Sequence, residues 1–135
     1  MISIEDRMMI HELISLHGHF VDEGKLDELS QVFSPDVIYD LDDFGFGALM
    51  GIDAVKNSAI SLGDANPVGH HITNIVLSEG NEENTIYSKS KGIGIKTDGS
   101  CGSVIYEDIV KKLSGEWRIT YRKVIPRRKP LSGKY

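Results

Sequence analysis

Apolar residues in the first part of the chain recur at helical spacing. Met9, Leu13, Leu16 and Phe20 form one row, and Ile10, Ile14 and Val21 form another beside it. The spacing predicts a helix opened by Ser3, with Asp6 three residues on as the acidic variant of a capping box, and closed by Gly24. His17 falls in the middle of that stripe, while His11 and His19 fall off it. A second short helix is expected over "KLDELSQVF", turning Leu26, Leu29, Val32 and Phe33 inward. "SPD" stops it, and "VIYDL" reads as a short strand. "DDFGFGALMG" is glycine-rich and aromatic, a loop able to cover a pocket or fill a subunit interface with Phe44, Phe46, Leu49 and Met50. A third helix is expected to begin near Asp53, an N-cap candidate, and to run through "AVKNSAISL" to Gly63.

From His70 onward the pattern changes to strands separated by turn chemistry. "HHITNIVLS", "TIYSKSKGIGIK", "SVIYEDIVKKL" and "WRITYRKVI" are joined by "EGNEEN", "TDGSCG" and "SGE". Consecutive strands with short turns imply an antiparallel meander. Helices first and a curled sheet second make an α+β fold, with three helices packed on one face of the sheet. The Gly92/Gly94 pair is expected to mark a bend or bulge, because glycine weakens a flat strand. "GIG" follows no βα unit and lacks the spacing of a dinucleotide loop.

At 135 residues the chain suits one domain with one substantial core. Hydrophobic residues are 40% and charged residues 26%, ordinary values for a soluble globular protein. No apolar run approaches a membrane span, and "MISIEDRMMIHELI" is acidic where a signal peptide is basic, so a cytoplasmic location is the expectation. Cys101 is the single cysteine, which leaves neither an internal disulfide nor a CxxC metal site. The net charge of −5 is uneven: residues 111–135 hold 9 basic side chains and 1 acidic. Residues 126–135, "PRRKPLSGKY", are read as a basic tail, solvated or in contact with another subunit. The acidic remainder of the chain argues against nucleic acid as a partner.

The candidate chemistry starts at "GHHITNIV". Side chains alternate across a strand, so His70 and His71 face opposite ways and one of them looks into the protein. As diverging neighbours they do not share a metal. His17 from the first helix, Tyr39 from the short strand, and Tyr121 and Arg122 from the last strand offer polar groups to the same interior. Singly, His17 reads as a hydrogen-bonded core residue, and Arg122 as a surface charge or a buried salt-bridge partner. Together they stand where an ordinary core has Leu and Phe.

The order of "DRMMIHELISLHGHFVDEGKLDELSQVFSPDVIYDL", "MGIDAV", "GHHITNIVL" and "EWRITYRKV" resembles the SnoaL-like family of the nuclear transport factor 2-like superfamily. The resemblance covers roughly residues 4–125, which sets the domain at 1–125. It implies an α+β cone. It is similar in these segments to scytalone dehydratase, bile acid 7α-dehydratase and hexachlorocyclohexane dehydrochlorinase types, which eliminate water or HCl with an Asp–His pair and no metal or organic cofactor. Carried over, it implies Asp22, His70 and Arg122 as catalytic residues, with His17, Tyr39 and Tyr106 shaping the pocket. His17 stands where the bile acid type has a tyrosine. By periodicity alone Asp22 lies off the apolar stripe. Only the resemblance turns it inward. The implied function is a cofactor-independent lyase or isomerase acting on a small hydrophobic, cyclic molecule, in a homodimer or homotrimer formed through the sheet. The alternative is a non-catalytic small-molecule-binding protein of the same fold, with a structural oligomerisation domain as a third.

Overall fold

The computed structural model describes residues 1–131; the end of the basic tail, residues 132–135, lies outside them. Helix α1 spans Ile4–Asp22 and α2 spans Ile52–Leu62, with a 3₁₀ helix at Leu26–Gln31 where the second, short helix was expected. Six strands form one sheet: β1 Phe33–Asp40, β2 Ala48–Met50, β3 Gly69–Glu79, β4 Thr85–Ile95, β5 Cys101–Leu113 and β6 Glu116–Arg127. Their order is β2-β1-β6-β5-β4-β3. All pairings are antiparallel except β1 with β6, which run parallel. The fold is α+β, of the nuclear transport factor 2 and cystatin-like kind.

Helix α1 begins as its sequence implies. The Ser3 hydroxyl accepts the Asp6 amide at 3.0 Å. The Asp6 carboxylate does not close the box; it accepts the Trp117 indole N–H at 3.0 Å and ties the helix to β6. That bond is the main cause holding the Asp6 carboxyl below its ordinary pKa. The buried face is Ile10, Leu13, Ile14, His17 and Gly18, while Met9, assigned inward by spacing, is 58% exposed. Helix α2 starts one residue before Asp53, behind Gly51 at φ +91°, a left-handed backbone that glycine tolerates.

Two bulges set which strand residues face the helices. On β3, Asn74 at φ +56° sits in a break between the Thr73↔Lys91 and Val76↔Lys89 pairs. Ile72, Ile75 and Leu77 therefore all pack toward the core, and Val76 is 65% exposed. On β6, Thr120 is the extra residue between Val110↔Ile119 and Ile109↔Tyr121, and its hydroxyl donates to the Ile109 carbonyl at 3.3 Å. The phase of β6 flips there, so Trp117 and Ile119 are buried before it and Arg122, Val124 and Pro126 after it.

Four differences from the sequence reading remain. "SPD" lies within an irregular stretch of β1 rather than before the strand. The loop at 42–51 contains a 3₁₀ turn and the edge strand β2. In it Leu49 packs on the core and Phe44 lies beneath the Arg128 guanidinium, whereas Phe46 and Met50 are exposed. β6 continues through Pro126 and Arg127, two residues into the segment read as tail. Among the described residues no helix is long and apolar enough to cross a membrane.

Candidate active site

The concave face of the sheet has an apolar end and a polar end. At the apolar end the cross-strand row Ile86–Val110–Ile119–Phe33 meets Ile10, Ile14, Leu29 and Val32. The next inward row crosses the whole sheet as Leu77–Ser88–Asp108–Arg122–Tyr39–Leu49. Beyond it come Ser90, Tyr106 and Val124, and then His70 opposite Gly94 at the open end.

His70 faces inward with Ile72, and His71 is exposed. Asp22 reaches His70 from the last residue of an unbroken α1. Its Oδ1 lies 2.6 Å from the ring Nδ1, and its Oδ2 accepts the His70 backbone N–H at 2.9 Å. The two side chains are 24% and 17% exposed, so the pair sits at the rim of the interior. A cleft of about 560 Å³ borders Asp22, with Val21, Asn66, Pro67 and Val68 in its wall; His70, His17, Tyr106 and Arg122 do not line it. Gly18 explains the reach of Asp22. One helical turn earlier and on the same face, it lets the backbones approach so closely that a Cβ would sit 2.6 Å from the His70 carbonyl oxygen.

His17 is buried between Phe33, His70 and Tyr106, with ring centroids 5.6, 6.0 and 6.1 Å away and edge-on geometry in each case. Burial, aided by the Arg122 charge and by His70, holds its pKa well below the ordinary 6.5, so the ring is neutral. Its Nδ1 has no hydrogen-bond partner among the described residues.

Arg122 is wholly buried. Its Nε and Nη2 donate to the two oxygens of Asp108 at 2.7 and 2.9 Å, a bidentate bridge with both side chains fully buried. The guanidinium stacks 4.2 Å from the Tyr106 ring centroid and 5.5 Å from that of Phe33. Its Nη1 is left over. Tyr106 owes its place to Gly92, where a Cβ would lie 2.5 Å from the tyrosine ring; Gly94 likewise makes room for Pro67. Both glycines sit in unbroken register with β5, so they supply space rather than the expected bend or bulge. Burial raises the pKa of Tyr106 strongly and that of Tyr39 too, the latter opposed by Arg122. Tyr121, also on β6, faces the other side and donates to Asp40 Oδ2 at 2.6 Å.

The structure thus gathers His17, His70, Tyr106, Arg122 and, half-buried, Tyr39 on the concave face, with Asp22 at its rim. The sequence reading lacked Asp108. Its signal was parity, since Tyr106, Asp108 and Val110 share one side of β5 and are all buried. Among the described residues no three His, Cys, Asp or Glu side chains gather as a metal-binding group.

Solved structures share this arrangement of elements. A protein from Novosphingobium aromaticivorans named for scytalone dehydratase superposes with a TM-score of 0.75 at 23% identity, covering 93% of this chain and 86% of its own. A type 2 hexachlorocyclohexane dehydrochlorinase, LinA, gives 0.76 at 18% identity, covering 96% and 91%. A protein of unknown function from Nostoc punctiforme gives 0.79 at 17% identity, covering 95% and 96%. These likenesses establish the fold, shared by dehydratases, dehydrochlorinases and proteins with no known activity. No curated protein matches the chain. The family model that describes the SnoaL-like domain matches residues 3–123, and the chain belongs to that family.

Proposed function

We propose that the concave face is the active site of a cofactor-independent lyase or isomerase acting on a small, largely hydrophobic, cyclic molecule. One observation carries this reading: the Asp22 carboxylate holds Nδ1 of His70 at 2.6 Å, which leaves Nε2 as the ring nitrogen for a substrate. A carboxylate in that position fixes the tautomer and stabilises the imidazolium formed when the ring takes a proton. The relatives named for dehydratase and dehydrochlorinase activity lend support at the level of reaction class.

In the elimination, His70 Nε2 removes a proton from carbon. The C–H electron pair becomes the new π bond as a hydroxyl or halide leaves the neighbouring carbon. For a hydroxyl, the imidazolium returns its proton to the departing oxygen, so water leaves and the neutral ring is restored. A halide leaves as the anion, and the imidazolium gives its proton to solvent water. In an isomerisation the same proton goes back to a different carbon. Arg122 Nη1, buried and unpartnered, is a donor for oxygen on which charge develops. Tyr39, Tyr106 and neutral His17 shape the walls.

The test is turnover of a panel of cyclic β-hydroxy ketones and polychlorinated cyclohexanes, read as loss of water or HCl by mass spectrometry. His70→Gln keeps a polar planar group but no base; it should abolish turnover while leaving ligand binding within about threefold of wild type. Full turnover by His70→Gln would refute the mechanism. A wild-type chain that binds these compounds and converts none is a small-molecule-binding protein using the same residues.

A further inference from the structure

We infer that Arg122 is a charge-neutralised donor for an uncharged ligand oxygen, a carbonyl or hydroxyl, and that Asp108 sets this selectivity by denying the site a carboxylate ligand. The inference deepens the proposed function and rests on the same interior being the binding site.

Asp108 takes two of the guanidinium's three donor nitrogens through both of its oxygens. The pair lies on the inward row of the sheet with no solvent exposure of either side chain. Its net charge is zero, and Asp108 leaves the N–H bonds of Nη1 and the second N–H of Nη2 unused. Around it stand Tyr106 and Phe33 as flat apolar walls, Ser88 directly across from Asp108, and Ser90 directly across from Tyr106. The hydroxyls of Ser88 and Ser90, the hydroxyl of Ser34 and Nδ1 of His17 are also buried without partners among the described residues. Buried polar atoms are nearly always satisfied, so Arg122, Ser88 and Ser90 on the inward rows of the sheet, with His17 beside them, point to a ligand with oxygens of its own.

The charge of the site selects the kind of oxygen. Asp108 cancels Arg122, Asp22 faces His70, and His17 is neutral. No cation is left uncompensated for an anion. A carboxylate brought to Nη1 would lose its water and meet the Asp108 charge on the far side of the same guanidinium, in surroundings that screen poorly. A ketone or alcohol loses far less hydration and accepts a hydrogen bond from Nη1.

The experiment measures binding of three small probes of similar shape to the intact protein by ligand-detected NMR: cyclohexanone, methylenecyclohexane and cyclohexanecarboxylate. Wild type should bind cyclohexanone about tenfold more tightly than either of the others. Asp108→Asn, which leaves the guanidinium charge uncompensated, should shift the preference toward the carboxylate by about tenfold or more. Equal or tighter binding of the carboxylate by wild type overturns the inference. So does equal binding of methylenecyclohexane, or a folded Asp108→Asn protein with unchanged selectivity. Binding of no probe at millimolar concentration overturns it as well, because the inference requires Nη1 to donate to the neutral oxygen of a bound ligand. If Asp108→Asn does not fold, the three wild-type affinities decide the matter. Turnover enters none of these readouts: selectivity without turnover sinks only the lyase reading, and turnover without selectivity sinks only this one.

Discussion

Gly18→Ala perturbs the site without touching any of its polar groups. In the interior of an ordinary helix this change stabilises by about 1 kcal/mol, because alanine gives up less backbone entropy. In α1 the new Cβ would lie 2.6 Å from the His70 carbonyl oxygen, where ordinary contact begins at 3.4 Å. The obstructing atom is backbone in a paired strand, so helix and strand must separate by several tenths of an ångström. Overpacking of this kind costs about 1–3 kcal/mol. Set against the helix-propensity gain, the net expectation is a loss of up to about 2 kcal/mol. The sign is opposite to the usual one. Separation would also stretch both Asp22 contacts, on the ring at 2.6 Å and on the His70 amide at 2.9 Å, since Asp22 rides on the same helix face. Urea denaturation gives the stability change, and hydrogen exchange at the His70 amide reports the second effect as faster exchange. His11→Ala, at an exposed position of the same helix, serves as the control and should shift stability by only a few tenths of a kcal/mol. If Gly18→Ala stabilises the protein with an unchanged m-value and unchanged His70 protection, the close approach of α1 to β3 is refuted.

Two pH effects follow from named groups. The neutral state imposed on His17 in the fold gives stability that is complete above pH 6.5 and falls as pH drops below it, since the unfolded chain then binds a proton the folded one refuses. The slope is at most about 1.4 kcal/mol per pH unit, and His17→Phe should flatten the change in urea midpoint between pH 7.5 and 5; parallel midpoints in both proteins would count against a neutral buried ring. The Tyr121 hydroxyl, pushed up to about 12 by its bond to Asp40, gives stability present below pH 10 and lost as pH climbs from 10 toward 12. Tyr121→Phe should remove that alkaline transition and cost about 1 kcal/mol at neutral pH, read by thermal melts at pH 8 and 11.

Much of the fold was legible because the hydrophobic period changes sharply at Gly69 and because the turns carry glycine, asparagine and serine. The parallel pairing of β1 with β6 and the three-residue β2 leave no local trace, being set by distant partners. At the site, alternation correctly turned one histidine of the pair inward. Asp22 looked misplaced only because the stripe was drawn through bulky residues. The face that packs on β3 runs through Ile14, Gly18 and Asp22, and its middle member is marked by the absence of a side chain. A glycine inside a strong helical pattern is a sign of close approach, and four residues on from it is where a functional group meets the partner strand.

Asp108 was harder to read for a reason that also bears on Arg122. Strict alternation from Trp117 and Ile119 puts Tyr121 inside and Arg122 outside. The extra residue at Thr120 reverses this, setting Tyr121 on the outer face with Asp40 and Arg122 on the inner face with Asp108. Sequence gives no direct sign of a bulge, although a threonine whose hydroxyl can bond a neighbouring carbonyl suits one. Without the bulge, Asp108 would be a buried carboxylate with no partner, a cost of several kcal/mol. With Thr120 in the chain, the bulge and the ion pair therefore require each other. Deleting Thr120 should straighten β6 yet keep Arg122 on Asp108, because Ile119, Tyr121 and Arg122 then alternate inward, outward and inward as they do now. Replacing the bulge by a regularly paired Thr120 is what would strand Asp108. A Thr120 deletion that lost the ion pair, read as a collapse of the urea midpoint, would refute this account.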